Sequence, residues 1–141
     1  MSINVTVEAT VNPTEDESKV QHALLNIFPN AKVEHSKRDD VITLRIQGLG
    51  FKFLSTFRNI IKQERIRDTA RRILMSKVEG DRIIIFLHKQ AAFVGRISFC
   101  APEGESPLGP ISIKIVTPSP ESVVDYLAAT GKDGFQRFLE T

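Results

Sequence analysis

Hydrophobic and polar residues alternate along residues 3–11, with Ile, Val and Ala at the odd positions and mostly polar residues between them. This period of two predicts a strand with one buried face. Asn12-Pro13 then predicts the start of a helix, because Asn can cap a helix and Pro suits its first position. The apolar residues that follow have helical spacing and predict one buried stripe. They are Val20, Ala23, Leu24, Ile27 and Phe28.

Two short alternating stretches flank the charged turn 37–40 and predict a β-hairpin. Two apolar stripes with helical spacing follow, the first over 53–61 and the second over 66–74. They are out of register, because continuing the first stripe would bury Glu64. The pattern therefore predicts two consecutive helices with a break between residues 62 and 65.

The last third of the chain adds strands and one helix. Residues 83–87 form a branched apolar run, which predicts a strand buried on both faces. A helical turn is predicted for 89–95, a strand pair for 96–100 and 111–116, and a final helix from Ser119-Pro120. This order predicts an α+β fold, with a single-layer, mainly antiparallel sheet and helices packed on one face.

Length and composition narrow the class of protein. The 141 residues predict a single domain over 1–141, and 41% hydrophobic with 26% charged residues predicts a folded protein. No apolar run is long enough for a membrane helix, and the first residues do not resemble a signal peptide. Cys100 is the single cysteine, which excludes an internal disulfide. We therefore expect a cytoplasmic protein without membrane contact.

Motifs for catalysis or metal binding are absent from the sequence. The three histidines are far apart and have no neighbouring cysteine, so we expect no metal site. No Gly-x-Ser-x-Gly or phosphate-loop motif occurs, so we expect neither a catalytic residue nor a cofactor. An enzyme using Asp68, His88 and Lys89 stays open as the least favoured alternative, provided that the fold brings the three together.

Positive charge is concentrated in residues 52–77, which hold eight Lys or Arg against two acidic residues, whereas the whole chain has a net charge of +2. Glu64, Asp68 and Arg72 are spaced by four, so part of this charge is expected to pair along a helix. The remaining cations suit phosphate, because a guanidinium fork matches phosphate oxygens in pairs. A solvated helix face and a nucleic-acid contact both stay open at this point.

Five short segments of the sequence resemble motifs of the archaeal uncharacterised protein family (UPF) numbered 0201, in the same order along the chain. The segments are Val11 to Asp16, Asn26 to Pro29, Gln63 to Arg71, Lys89 to Ala92, and Ser106 to Ile111. The resemblance implies an RNA-binding role, an association with the exosome, and a fold similar to that of the large-subunit ribosomal protein five. It implies no established activity.

Charge and resemblance together predict a non-catalytic RNA-binding protein that contacts the phosphates of structured or duplex RNA through a basic helix pair. The loop 106–110 is expected to shape this surface. The alternative is a protein-interaction module, as a homodimer or as a subunit of an RNA-processing complex, without direct RNA contact. The predicted RNA-binding residues are Lys62, Arg65, Arg67, Arg71, Arg72, Lys89 and Gln90.

Within this set, Lys89 and Gln90 are expected to act as a pair. They follow a predicted buried strand, which would anchor their backbone. Ala91 and Ala92 next to them have no bulk and would allow a ligand to approach. The alternative is that both alanines pack under a helix.

Overall fold

A computed structural model describes residues 2–101 and 109–129. The strands are β1 (Asn4–Val11), β2 (Glu34–Arg38), β3 (Val41–Leu49), β4 (Val78–Glu79), β5 (Arg82–Leu87) and β6 (Ile111–Val116). The helices are α1 (Glu17–Ile27), α2 (Gly50–Phe53), α3 (Ser55–Gln63), α4 (Arg67–Ser76), α5 (Lys89–Phe93) and α6 (Pro120–Leu127).

The strands form one sheet in the order β2-β3-β1-β6-β5-β4, and every neighbouring pair is antiparallel. Residues opposite each other in the ladder share a face. Val7 on β1 lies opposite Ile46 on β3 and Ile113 on β6, and Ile113 lies opposite Ile85 on β5. All four are buried, so this row forms the floor of the core.

Helices cover this apolar face. α1 contacts β1, α3 and α5, while α6 contacts α3 and α4. Phe28 at the end of α1 stacks on Phe53, with ring centroids 5.1 Å apart, and meets Phe57 edge-on at 6.1 Å. The Phe53 ring lies against Gly48, where a Cβ would overlap the ring, so only glycine fits this position of β3. Aromatic packing thus fixes where α2 and α3 start.

The α+β class, with helices on one side of an antiparallel sheet, is confirmed. The break between two helices is also confirmed, because α3 ends at Gln63 and α4 begins at Arg67. No helix among the described residues has the length and hydropathy to cross a membrane. Of the loop 106–110, only Gly109 and Pro110 fall within the described residues, so its predicted role stays a prediction.

The predicted helix start at Asn12 is wrong. Asn12 instead closes a turn with Glu15, donating from its backbone N–H and its side-chain amide to Glu15 Oε1 at 3.0 and 3.1 Å. The helix begins after Asp16, whose carboxylate accepts the Ser18 N–H at 2.9 Å. The Ser18 side chain, and then its backbone N–H, lower the pKa of Asp16. Both Asn12 and Asp16 are residue types that can cap a helix. Because Asn12 is bonded to Glu15, Asp16 is the residue that caps α1.

Two predictions for the second half of the sheet are also wrong. β5 is buried on one face only, because Ile84 and Phe86 point to the side of the sheet that none of the described helices covers. The predicted pairing of 96–100 with 111–116 does not form, because β6 lies between β1 and β5. The segment 98–100 instead meets β5 through an isolated bridge between Leu87 and Phe99. The short elements α2 and β4 were not predicted.

Candidate nucleic-acid interface

The break between α3 and α4 is a tight corner with a left-handed residue at its centre. Arg65 has φ of 58°, and its N–H donates to the Lys62 carbonyl at 3.1 Å. The next N–H, of Ile66, reaches back to the Ile61 carbonyl at 3.2 Å. These two bonds are the Schellman pattern, which normally places glycine at the left-handed position. Here that position is an exposed arginine.

This corner brings three predicted cations together. Lys62 is in the last turn of α3, Arg65 is in the corner itself, and Arg67 is the first residue of α4. Lys62 and Arg65 are exposed, and Arg67 is partly exposed. Because the three lie within six consecutive residues, their side chains share one part of the surface.

A fourth cation at this corner, Arg96, was not predicted. Glu64 Oε2 accepts the Ile97 N–H at 2.9 Å, and Arg96 Nε lies 4.0 Å from Glu64 Oε1. This contact fastens the segment after α5 to the corner, while the Arg96 side chain stays 75% exposed. The expected charge ladder from Glu64 through α4 is wrong, because Glu64 lies outside α4 and its carboxylate faces Ile97. We call Lys62, Arg65, Arg67 and Arg96 the α3–α4 corner.

The two later arginines of α4 lie on different sides of that helix. Arg71 Nη1 donates to Asp125 Oδ1 at 2.7 Å and approaches the Ala128 carbonyl at 3.5 Å. Arg71 therefore fastens α4 to α6, and Asp125 neutralises much of its charge. Arg72 is exposed on the outer side of α4, near the exposed Asp68 one turn earlier. Arg72, five positions after Arg67, therefore lies off the flank of α4 that Arg67 and Arg71 share.

Lys89 does not fit its predicted role as a phosphate ligand. Its side chain is only 7% exposed, and its ammonium donates to the Thr10 carbonyl and to both Glu15 oxygens, at 3.0 and 3.2 Å from the latter. A buried ammonium with these partners cannot reach RNA without breaking the ion pair. Lys89 therefore joins α5 to the end of β1, and we withdraw it from the predicted site.

In the rest of the Lys89 to Ala92 turn, Ala92 is buried and Gln90 is exposed. Ala92 is fully buried, which matches the alternative that the alanines pack under a helix. The Asn26 amide of α1 donates to the Ala92 and Phe93 carbonyls at 2.9 Å each and so fixes the end of α5. Gln90 is exposed, and no contact of the described residues links it to the α3–α4 corner.

The acid–base set weighed from the sequence is not assembled. Asp68 is exposed in the first turn of α4. Lys89 contacts Thr10 in β1 and Glu15 in the turn before α1. No hydrogen bond or ion pair among the described residues joins Lys89 to Asp68, so these two members of the set are not brought into contact.

The sequence of this chain matches a known protein family over most of its length. A family model described as RNA binding matches residues 4–117. The UPF0201 protein of Metallosphaera sedula is 41% identical over 126 residues, which cover 88% of this chain and 86% of that protein. The UPF0201 protein of Aeropyrum pernix is 40% identical over 139 residues, covering 96% and 93% of the two chains. This chain belongs to the UPF0201 family.

The sheet and helix layer are those of solved UPF0201 proteins. A crystal structure of the UPF0201 protein from Methanococcus jannaschii matches with a TM-score of 0.80 and 29% identity, over 93% of this chain and 96% of that one. A second UPF0201 crystal structure matches with a TM-score of 0.75 and 32% identity, over 90% and 94%. The predicted family resemblance is confirmed. The similarity to ribosomal protein five stays a prediction.

Proposed function

We propose that this UPF0201 protein binds structured or duplex RNA, without catalysis, through phosphate contacts at the α3–α4 corner and at Arg72. The family model described as RNA binding supports the choice of ligand. Arginine forks and lysine ammonium groups supply the charge-assisted hydrogen bonds that phosphate oxygens accept. The protein would act in the cytoplasm, within RNA processing.

The conformation of Arg65 carries this proposal. A left-handed backbone costs an L-residue with a Cβ about 1 kcal/mol, and glycine would avoid that cost. The chain nevertheless holds an exposed arginine there, with no hydrogen bond from its side chain to the described residues that would repay the cost. A strained, exposed cation between two further cations supports a phosphate contact, because backbone strain is retained mostly at functional sites.

The start of α4 adds partial positive charge to the corner. The residue before the helix is Ile66, and no side chain caps its first amides. The first turn of a helix carries partial positive charge, which favours an anion there. Asp68 supplies one carboxylate in this turn, and the two arginines that flank the helix end, Arg65 and Arg67, keep it net positive.

The composition of the corner favours backbone recognition. It consists of cations, and it contains no aromatic ring on which a base could stack. Duplex RNA exposes its phosphates while its bases are paired, and proteins recognise it largely by shape and by backbone contacts. Structured or duplex RNA is therefore the ligand class that this surface fits.

The test is RNA affinity with a charge-matched control. Fluorescence anisotropy with a labelled hairpin RNA would compare the Arg65→Ala/Arg67→Ala variant with the Lys37→Ala/Arg38→Ala variant. Lys37 and Arg38 are exposed at the end of β2, so both variants lose two positive charges. We expect about a tenfold loss of affinity for the corner variant and about twofold for the control. Equal losses of RNA affinity in the two variants would mean that the corner contributes only through the net charge of the protein, which would refute the proposal.

One observation favours a second candidate function, a protein-interaction module. On α5 and just after it, Phe93 and Val94 are 39% and 66% exposed, and the His22 ring meets Phe93 edge-on at 5.3 Å. Exposed apolar side chains that lie together are typical of protein contacts. Light scattering after size-exclusion chromatography would test self-association. A dimer that the Val94→Ser variant abolishes would support this function, whereas a monomer at all concentrations would exclude the homodimer.

A further inference from the structure

An aromatic and guanidinium cluster joins α2, α3 and α6. The ring of Tyr126 is 4.7 Å from that of Phe51, at an angle of 47°. On Tyr126, the Arg58 guanidinium carbon lies 4.9 Å from the ring centroid. All three residues are partly exposed. We call them the Tyr126 cluster.

The flanks of two basic helices converge on this cluster. Arg58 and Lys62 are one turn apart on α3 and share a flank, and the contact of Arg58 with Tyr126 shows that this flank faces α6. Arg67 is one turn before Arg71 on α4, and the bond from Arg71 to Asp125 shows that their flank also faces α6. Tyr126 and Asp125 are thus bordered by cations from both helices.

The cluster is close enough to the corner to share one ligand. Lys62 belongs to the corner, and it lies about 6 Å along α3 from Arg58. An RNA whose phosphates contact Lys62 and Arg67 would bring a neighbouring nucleotide to Tyr126. Aromatic rings and guanidinium planes are the groups on which proteins stack unpaired RNA bases.

We propose that the Tyr126 cluster stacks against one unpaired base of an RNA whose backbone lies on the α3–α4 corner. The ligand class is therefore a duplex interrupted by a bulge, or ending in a single-stranded nucleotide. A fully paired RNA uses the phosphate contacts alone, because its bases stay inside the helix. This inference rests on the proposed RNA binding and adds a preference that the corner by itself does not provide.

The composition of the chain supplies a direct readout. Tyr126 is the single tyrosine, and the chain has no tryptophan, so its intrinsic fluorescence reports this cluster alone. The experiment titrates the protein with two blunt-ended RNA duplexes that differ by one bulged nucleotide and measures tyrosine emission. Anisotropy of labelled copies of the same RNAs gives both affinities. We expect the bulged RNA to quench the emission and to bind about five- to tenfold more tightly.

Two variants separate stacking from folding. Tyr126→Phe keeps an aromatic ring and should keep the preference for the bulged RNA, whereas Tyr126→Leu should lose it while binding the fully paired duplex as before. Thermal unfolding confirms that each variant is folded. Equal affinities of the wild-type protein for both RNAs without quenching would overturn the stacking site and leave phosphate binding intact. Binding of neither RNA would overturn the proposed function and this inference together.

Discussion

Replacing Arg65 with glycine should move stability and RNA binding in opposite directions. The corner requires φ of 58° at this residue. Removing the Cβ relieves about 1 kcal/mol of left-handed strain. The greater freedom of glycine in the unfolded chain offsets about 0.4 to 1 kcal/mol of that gain. The net expectation is a free energy of unfolding that is raised by up to about 0.6 kcal/mol, which raises Tm by up to about 2 °C.

RNA affinity should fall in the same variant, because glycine cannot replace the guanidinium. Loss of one phosphate contact should weaken binding about three- to tenfold and reduce the slope of log affinity against log salt by about 0.7 to 0.9. Urea unfolding and fluorescence anisotropy measure the two effects on one preparation. Arg65→Ala is the control, since it removes the charge and keeps the left-handed strain.

Two outcomes would refute this reasoning at different points. If Arg65→Gly is stabilised and binds RNA as the wild type does, the arginine has no binding role and its strain needs another explanation. If Arg65→Gly is less stable than Arg65→Ala, the strain assigned to the corner is absent. Stabilisation together with loss of affinity is the pattern expected of a residue kept for function at the expense of stability.

Three other predictions concern the framework of the site. Lys89→Met should lower the free energy of unfolding by about 3 kcal/mol in urea titrations, because it leaves the Glu15 carboxylate buried without the Lys89 ammonium. An RNA affinity of the folded variant equal to that of the wild type would agree with a structural role of Lys89. Gly48→Ala should lower Tm markedly in thermal unfolding, since the new Cβ would overlap the Phe53 ring; an unchanged Tm would contradict that packing. The lowered pKa of Asp16 predicts that its cap stabilises the fold above pH 3.8 and is lost as the pH falls through the still lower folded pKa. Acid titration followed by circular dichroism should therefore show less stability lost to acid in Asp16→Asn than in the wild type, and identical acid profiles would contradict this.

The local parts of the fold were predictable from the sequence. The break between α3 and α4 follows from apolar spacing alone, because one continuous helix would have buried Glu64. The α3–α4 corner was therefore within reach, since three of its cations lie within six residues of sequence. The left-handed conformation of Arg65 could not be predicted, because neither glycine nor asparagine, the residues that usually mark such a turn, stands at position 65.

Contacts between distant segments explain what could not be predicted. Burial of Lys89 depends on Glu15, which is 74 residues away in sequence, and no local pattern distinguishes such a lysine from a solvated one. Arg96 joins the corner only because Glu64 binds the Ile97 N–H, across 33 residues. Ile84 and Phe86 are half-exposed because the described helices cover only the other side of the sheet, whereas their run of apolar residues is typical of strands covered on both sides.

The salt dependence of binding tests the central claim most directly. The affinity of a fully paired, blunt-ended RNA duplex would be measured between 50 and 200 mM salt, for the wild type and for a Lys62→Ala/Arg67→Ala/Arg72→Ala variant. If these cations contact phosphates, the log–log slope of the variant should be shallower by about 2 to 3, at about 0.7 to 0.9 for each of the three lost contacts. A variant with the wild-type slope would show that RNA phosphates do not lie on this surface.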